Sequence, residues 1–557
     1  MNRHNLKHIL TISSLLFVSL QSLQAQDTTK RKSFDITSTF KPVLRESAKI
    51  NFNAAPPVAD SSKPALVYAI PTQSLFFAYQ PAELKPVALE IDSINAWNYS
   101  NYIKVGIGNV HQPYIKAGFS FGDGKSTYFN AFASHYTSKG SLPFQKNSQT
   151  SVGAAATYLT PKQLEWNGTI GFRSDDYYLY GYRPTTLVFS KEQLQQRFQT
   201  IEAKIHFRNT VPTEFGLSYH PSLRVSVFSD NHSNKASESN TVLDLPLEKS
   251  FGKLFSFKLA ATADLTNYQR KGNTNKISAA NNLFYVSPAV LMKTPNIYLH
   301  AGLRPSWDNK VFTMLPNVMA DITTNDQRFT FQLGWIGYYN KGSYQRFAGI
   351  NPWLAQPDSL YNTRIQERYA GFKGSVGNHF SYSAKVGFQV YRNMPLFVND
   401  LSDGKTFTIA YEPRMEALQL HGEVEYTRAE AFSAFASINF NQFTKLEKEK
   451  KAWGMIPLEL NAGLRWQLMK DLWLRSDLWL WDGPQYRGAG GDAFKGETGF
   501  DLNAGAEFRI TKNFNLWLQL NNILNNRYER WHQYETFGFN ILGGVTYSFG
   551  NGKSSHK

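Results

Sequence analysis

Twelve histidines and no cysteine are the chain's offering for metal or nucleophile chemistry. No two histidines take the H-E-x-x-H spacing that would set two ligands on one helix face, and no G-x-S-x-G nucleophile turn occurs. The lack of cysteine removes disulfides, thiolate metal sites, cysteine nucleophiles and a lipid anchor on cysteine. The Gly-rich stretch 482–495 (DGPQYRGAGGDAFK) lacks the spacing that cradles phosphate ahead of Lys-Ser/Thr, so it reads as a mobile outer loop. No catalytic, metal or cofactor-binding residue is assigned, and an enzyme is not expected.

The remaining chemistry is ionic and aromatic, and it recurs every second residue. Glu202 and Lys204, Glu423 and Glu425, Arg475 and Asp477, and Glu507 and Arg509 are such pairs, joined by Lys104, Lys116, Lys385, Glu459, Arg465 and Asp501. Trp473, Trp479, Trp481 and Trp517 fall in the same register or at its rim. A spacing of two places side chains on one face of a strand. Such a face could line a hydrated passage or hold an internal segment, and its tryptophans could stack a sugar, mark a girdle or pack against a lumenal filling.

The elements that must carry these residues are amphipathic strands. Leu164, Trp166, Gly168, Ile170 and Phe172 alternate with Glu165, Asn167, Thr169, Gly171 and Arg173; the stretches 201–208, 380–389, 458–465 and 500–509 repeat the pattern. About 22 such segments follow residue 99. The fold class expected is all-β, a transmembrane antiparallel β-barrel of about 22 strands with long extracellular loops and short periplasmic turns. Short turns (122–125, 160–162, 209–213, 293–296, 511–513) follow even-numbered strands. Long connections (137–148, 174–195, 340–361, 393–404, 482–495, 524–536) follow odd-numbered ones. A missed strand would scramble that parity. The first hairpin, near 109–112, is short where a long loop is allowed.

Composition agrees. The 557 residues carry a net charge of +16 and 15% aromatics, which suits girdles at two membrane interfaces. A mean hydropathy of −0.39 does not oppose a membrane protein, because half of each barrel strand is polar. The basic balance suits an anionic partner such as lipopolysaccharide phosphate. The scatter of the basic residues argues against nucleic acid. The charge run 445–451 (KLEKEKK) reads as a solvated loop tip or a lipopolysaccharide contact. A propeller is disfavoured by the lack of a blade repeat.

Residues 1–25, with Arg3 and Lys7 ahead of an apolar run and Ala25 at its end, read as a signal peptide. Residues 26–98 are Pro-rich and unpatterned, a periplasmic or lumenal arm; 99–549 are the barrel and 550–557 a periplasmic tail. The closing strand repeats the amphipathic logic: Phe539, Ile541, Val545, Tyr547 and Phe549 form its apolar face. That face resembles the C-terminal signal that outer-membrane barrels present to the barrel-insertion machinery.

The stretch before it carries a family likeness. Asn521-Asn522-Ile523-Leu524-Asn525-Asn526, then Tyr528-Glu529, then Gly543 to Phe549 (GGVTYSF) resemble the last hairpin of TonB-dependent receptors of the Bacteroidota. The resemblance implies transport of a ligand across the outer membrane, with TonB as a partner. Family members carry a plug domain inside the barrel. Here only the arm 26–98 precedes the strands, and 33–40 (SFDITSTF) has the texture of a TonB-contact box. The chain is therefore similar to barrels that lack a full plug. Its arm could engage TonB or a periplasmic or lipoprotein partner, and the alternative role is a structural or accessory subunit of an outer-membrane assembly or secretion complex. An open porin is the third reading. A barrel this wide needs something to occlude it.

Overall fold

The computed structural model describes residues 101–550 except 124, 233 and 272–275. The expectations for 1–98 and for the tail beyond 550 lie outside these residues. Every strand of the main sheet runs antiparallel to its neighbour in sequence, from Asn101–Gly108 onward. The sheet closes where Asn101–Gly108 pairs with Asn540–Phe549, in a register that sets Lys104 against Thr546. Of its 23 strands, the three-residue Leu217–Tyr219 continues the line of Ser222–Asp230 against Ala236–Phe251, which leaves 22 staves. Closure leaves no unpaired edge, the condition under which strands can cross hydrocarbon.

The pleat sorts the side chains. In the first strand Ile103, Val105 and Ile107 are exposed, while Tyr102 and Lys104 are buried. Outside, the exposed apolar residues form a band. It ends in an aromatic girdle at the short-turn end, where Phe121 meets Phe129, Trp166 meets Phe207, Phe329 meets Phe372 and Phe514 meets Tyr547. Every inward position named above lies on the face opposite this band. The turns at that end are tied locally. In one, the Asp123 carboxylate accepts the backbone N–H groups of Lys125, Ser126 and Thr127 at 2.8–2.9 Å.

Loop parity holds, with shifted boundaries. The long connections run 179–194, 341–362, 445–457, 482–498 and 522–539, all after odd-numbered strands. The expected loop at 393–404 is instead mostly strand, since Phe380–Asn399 and Phe407–Arg428 extend past it and leave 400–406. The alternation stops there for two reasons. Asn393, at φ 54°, and Pro413 drop out of the ladder between Arg392↔Arg414 and Met394↔Glu412. Beyond them Met394, Leu396, Phe397 and Val398 are all buried, so the strand reads as continuously apolar. The stretch 482–495, expected to be mobile, holds a small hairpin of Gln485–Arg487 with Ala493–Lys495. The connection 210–216 is slightly longer than the turn expected there.

Candidate functional site

The long loops do not stand away from the barrel. They fold inward and share one buried core: Leu179 and Leu194 from one loop, Tyr344, Phe347 and Leu354 from another, Trp453 from a third, Trp531 and Tyr534 from a fourth. Inward residues of the wall complete it, among them Phe198, Phe228, Tyr268, Ile365 and Met415. Burial of this many aromatic side chains is a large apolar gain, since each covers on the order of 150–250 Å².

The loop 341–362 enters deepest. Its helix, Tyr344–Ile350, is capped by Ser343, whose hydroxyl accepts the Arg346 N–H. The Tyr344 ring lies edge-on to Phe198, Phe228 and Tyr268, whose alternate neighbours Ile201, Val227 and Leu265 face outward. The helix therefore sits inside the wall. Polar pins fix it there. Glu238 accepts the N–H groups of Tyr344 and Gln345 at 2.6 and 3.3 Å, and the Tyr344 hydroxyl donates to Asp230 at 3.0 Å. Lys341 reaches the Asp264 carboxylate at 3.1 Å and the Asn281 carbonyl at 2.6 Å. Burial pulls its ammonium below the usual lysine range, against the opposing pull of Asp264. Asn362 donates to Asp308, and Gln196 donates to the carbonyls of Pro352 and Leu354.

The loop 522–539 meets it from the other side. Tyr534 stacks on Trp353 at 4.0 Å between ring centres, Tyr180 donates to the Glu535 carbonyl at 2.6 Å, and Trp531 packs edge-on to Phe397 and Phe407. Between Tyr178, Tyr180, Trp353, Arg530, Trp531 and Tyr534 remains a cavity of about 60 Å³, room for a few waters. The charge run 445–451 is no free tip, because Glu412 accepts the N–H groups of Glu447, Lys448 and Glu449 at 2.7–3.0 Å.

Toward the short-turn end the lumen changes character. Lys104 lies 4.3 Å over the Trp517 ring, Trp517 meets Tyr114, and Arg509 lies over Trp473. Lys385 pairs with Glu367 at 2.6 Å, and Asn515 donates to Glu507 at 2.6 Å. Lys204 is exposed and Glu202, Glu423 and Glu425 are partly so, on a wetted wall. Of the four tryptophans, Trp481 and Trp517 are buried in packing, Trp481 against Tyr528. In the last strand Ile541, Val545 and Tyr547 are exposed on the outer face, as is Phe539 just before it. Phe549 stacks on Tyr547 within the girdle.

Two features escaped sequence reading. The loop core joins residues far apart in sequence, with no period to betray it. Ser138, His111 and Asn540 also converge: His111 Nδ1 lies 2.8 Å from the Ser138 hydroxyl and the ring meets the Asn540 side chain. That is the composition of a nucleophile, a base and an orienting amide. Ser138 is 0% exposed and the other two nearly so, which leaves a substrate no approach; the cluster ties three strands together. Among the described residues no group of three or more His, Asp or Glu could hold a metal.

No protein-family model and no curated protein matches the sequence. Solved structures do match in shape. The FrpB iron transporter of Neisseria meningitidis superposes with a TM-score of 0.64 at 9% identity, over 81% of this chain and 82% of that one. The ferric enterobactin receptor of Pseudomonas aeruginosa gives 0.62 at 12% identity, over 81% of each chain. The siderophore receptor PirA of the same species gives 0.58 at 12% identity, over 81% and 80%. The fold is that of outer-membrane receptor barrels. The resemblance seen in the closing hairpin thus agrees with the architecture, while identities this low speak for the fold alone.

Proposed function

We propose that the protein is an outer-membrane barrel of the TonB-dependent-receptor type that carries a ligand across the outer membrane. Its long loops would lie outside and its C-terminus in the periplasm. The observation that supports this reading best is the pairing of a 22-strand lumen, wide enough to pass a solute, with a mouth closed by its own loops. A closed mouth over a polar lumen suits gated passage and counts against an open porin. The loop core supplies occlusion at the outer end, the task the sequence left unassigned.

In this reading the arm 26–98 engages TonB or a periplasmic or lipoprotein partner. The outward row of Phe539, Ile541, Val545, Tyr547 and Phe549 is read by the insertion machinery before the barrel closes. The second reading, a structural subunit of an outer-membrane assembly or secretion complex, is favoured by the small cavity within the cap: about 60 Å³ is no binding site for a large ligand. Growth on a limiting nutrient separates the two. Uptake that requires both this protein and TonB supports the receptor. Stoichiometric partners in a detergent pull-down, with no nutrient-dependent phenotype, would reject it in favour of the subunit.

A further inference from the structure

Three arginines stand side by side on the outer face of the barrel. The register sets Arg364 against Arg392 and Arg392 against Arg414 across three adjacent strands. Residues directly opposed in antiparallel strands bring their side chains about 5 Å apart, and like charges so placed repel. Arg368 lies two outward positions below Arg364, beyond Gln366, and Lys445 closes the other flank at the end of Phe432–Thr444. These five cations share one groove with a single carboxylate, Glu416, which pairs with Arg414 at 2.9 Å and Lys445 at 2.7 Å. Arg364 donates to the Thr313 hydroxyl at 3.3 Å and is drawn to the Asp308 carboxylate, and Arg368 lies 5.5 Å from the Trp335 ring. Among the residues that line the groove, cations outnumber carboxylates by four.

Its height is informative. Below Arg392, the outward residues of the same strand are Val390, Phe388, Val386, Ala384, Tyr382 and Phe380, with the last two in the aromatic girdle. Ten residues at a rise of about 3.3 Å make about 33 Å of strand, or about 23 Å of height at a tilt of about 45°. That matches the roughly 25 Å apolar band of such barrels. The row of Arg364, Arg392 and Arg414 begins one position above it, at headgroup level on the long-loop side, while Arg368, opposite Phe388, lies in the upper part of the band. Phe388 and Val390 form the floor of the groove where an acyl chain would start.

We infer that this groove binds the phosphorylated headgroup of an outer-leaflet glycolipid, with the row Arg364, Arg392 and Arg414 on phosphate and the apolar floor along an acyl chain. Guanidinium groups form paired hydrogen bonds to phosphate, and a shared anion turns their mutual repulsion into a site. The inference rests on the outer-membrane location proposed above, not on any transported ligand.

The test uses the full chain purified in mild detergent, with native mass spectrometry counting retained lipid. Diphosphorylated lipid A and its dephosphorylated form are offered in parallel, after recovery in the outer-membrane fraction has been established. A chain absent from that fraction rejects the location; the lipid comparison addresses the groove. Wild type should retain the phosphorylated lipid on the order of tenfold better. Arg392→Gln with Arg414→Gln should abolish that preference, with heat-modifiable gel mobility reporting a folded barrel. Equal retention of the two lipids by wild type, or an intact preference in the folded double variant, overturns the proposal. So does equal competition by inorganic phosphate, which would mark a site for free anions. Should the double variant fail to fold, Glu416→Gln is read instead: it should retain more phosphorylated lipid than wild type, and unchanged or lower retention sinks the idea.

Discussion

The two halves of the lumen are built on opposite principles. At the long-loop end the space is filled with apolar and aromatic side chains drawn from at least four loops, and the few charges there, such as Glu238 and Lys341, are tied to specific partners. At the short-turn end the wall is wetted, and Glu202, Lys204, Glu423 and Glu425 line it. A filled end is a closed end, because no solute enters a packed core without displacing it. At the other end the described wall residues are open or half-open to solvent, so none of them closes the passage. Among the described residues the contrast places the barrier at the loops and makes it removable, since loops can rearrange while the closed sheet cannot.

The sharpest way to break this comparison is to remove the deepest loop. Replacing 342–361 with a short Gly-Ser linker takes out the helix Tyr344–Ile350 and its share of the core. In planar bilayers the wild type should show little conductance and the loop-deleted protein a large steady one. A loop-deleted barrel that stays electrically silent would show that the barrier is elsewhere and that the two halves do not differ as argued.

Smaller lesions test how the closed end is held. Trp531→Ala truncates a nearly buried side chain between Phe397 and Phe407. It should cost the cap about 3–5 kcal/mol of local stability. Hydrogen exchange in 522–539 should quicken while the barrel strands stay protected. Glu238→Gln weakens the acceptor for two helix N–H groups, a loss of about 1–3 kcal/mol. It should appear as intermittent channel openings, and wild-type silence in this variant would count against Glu238 as a pin.

Acid should loosen the same end. Burial pushes the Glu529 carboxyl up. The bond from His532 and the Gln533 N–H outweigh it and hold the group below its usual range. Asp403 is likewise raised by burial, yet held low by the N–H groups of Lys405 and Thr406. Both folded values are depressed, so their stabilisation is present above the ordinary carboxylate range and is lost as pH falls through the folded values. Trp fluorescence of the cap, followed from neutral into acid, should change before barrel circular dichroism does. Simultaneous loss of both signals would argue that the loops have no separate stability.

Much of the barrel was legible in the sequence because each strand meets lipid on one side and water on the other, and that contrast prints a period of two. Lys104, Glu202, Arg465 and Asp501 could be assigned inward from the pattern alone. The cap left no such print. Met394 to Val398 are covered on both sides, so alternation vanished and the hairpin top was read as a loop. Tyr344, Trp353 and Tyr534 fall within the connections expected at 340–361 and 524–536, and nothing in the pattern marks them, since their packing depends on loops distant in sequence. The outward arginine row was hidden for another reason: Arg364, Arg392 and Arg414 become neighbours only once register is fixed.

The wetted end offers the finest test, and it works only in combination. Lys204 is exposed on the lumen wall and Glu423 is half-buried there, 3.9 Å from His421, so Lys204→Gln should shift stability by less than about 0.5 kcal/mol and Glu423→Gln by about 1 kcal/mol or less. In the intact protein they should also leave conductance near zero, because the barrier lies at the other end. In the loop-deleted barrel the same changes should shift the ratio of cation to anion permeability, toward anions for Glu423→Gln and toward cations for Lys204→Gln. The effect should weaken at high salt, as screened charges do. If either substitution opened the intact protein, the lower lumen would be part of the barrier, and a single gate at the loops would no longer describe the molecule.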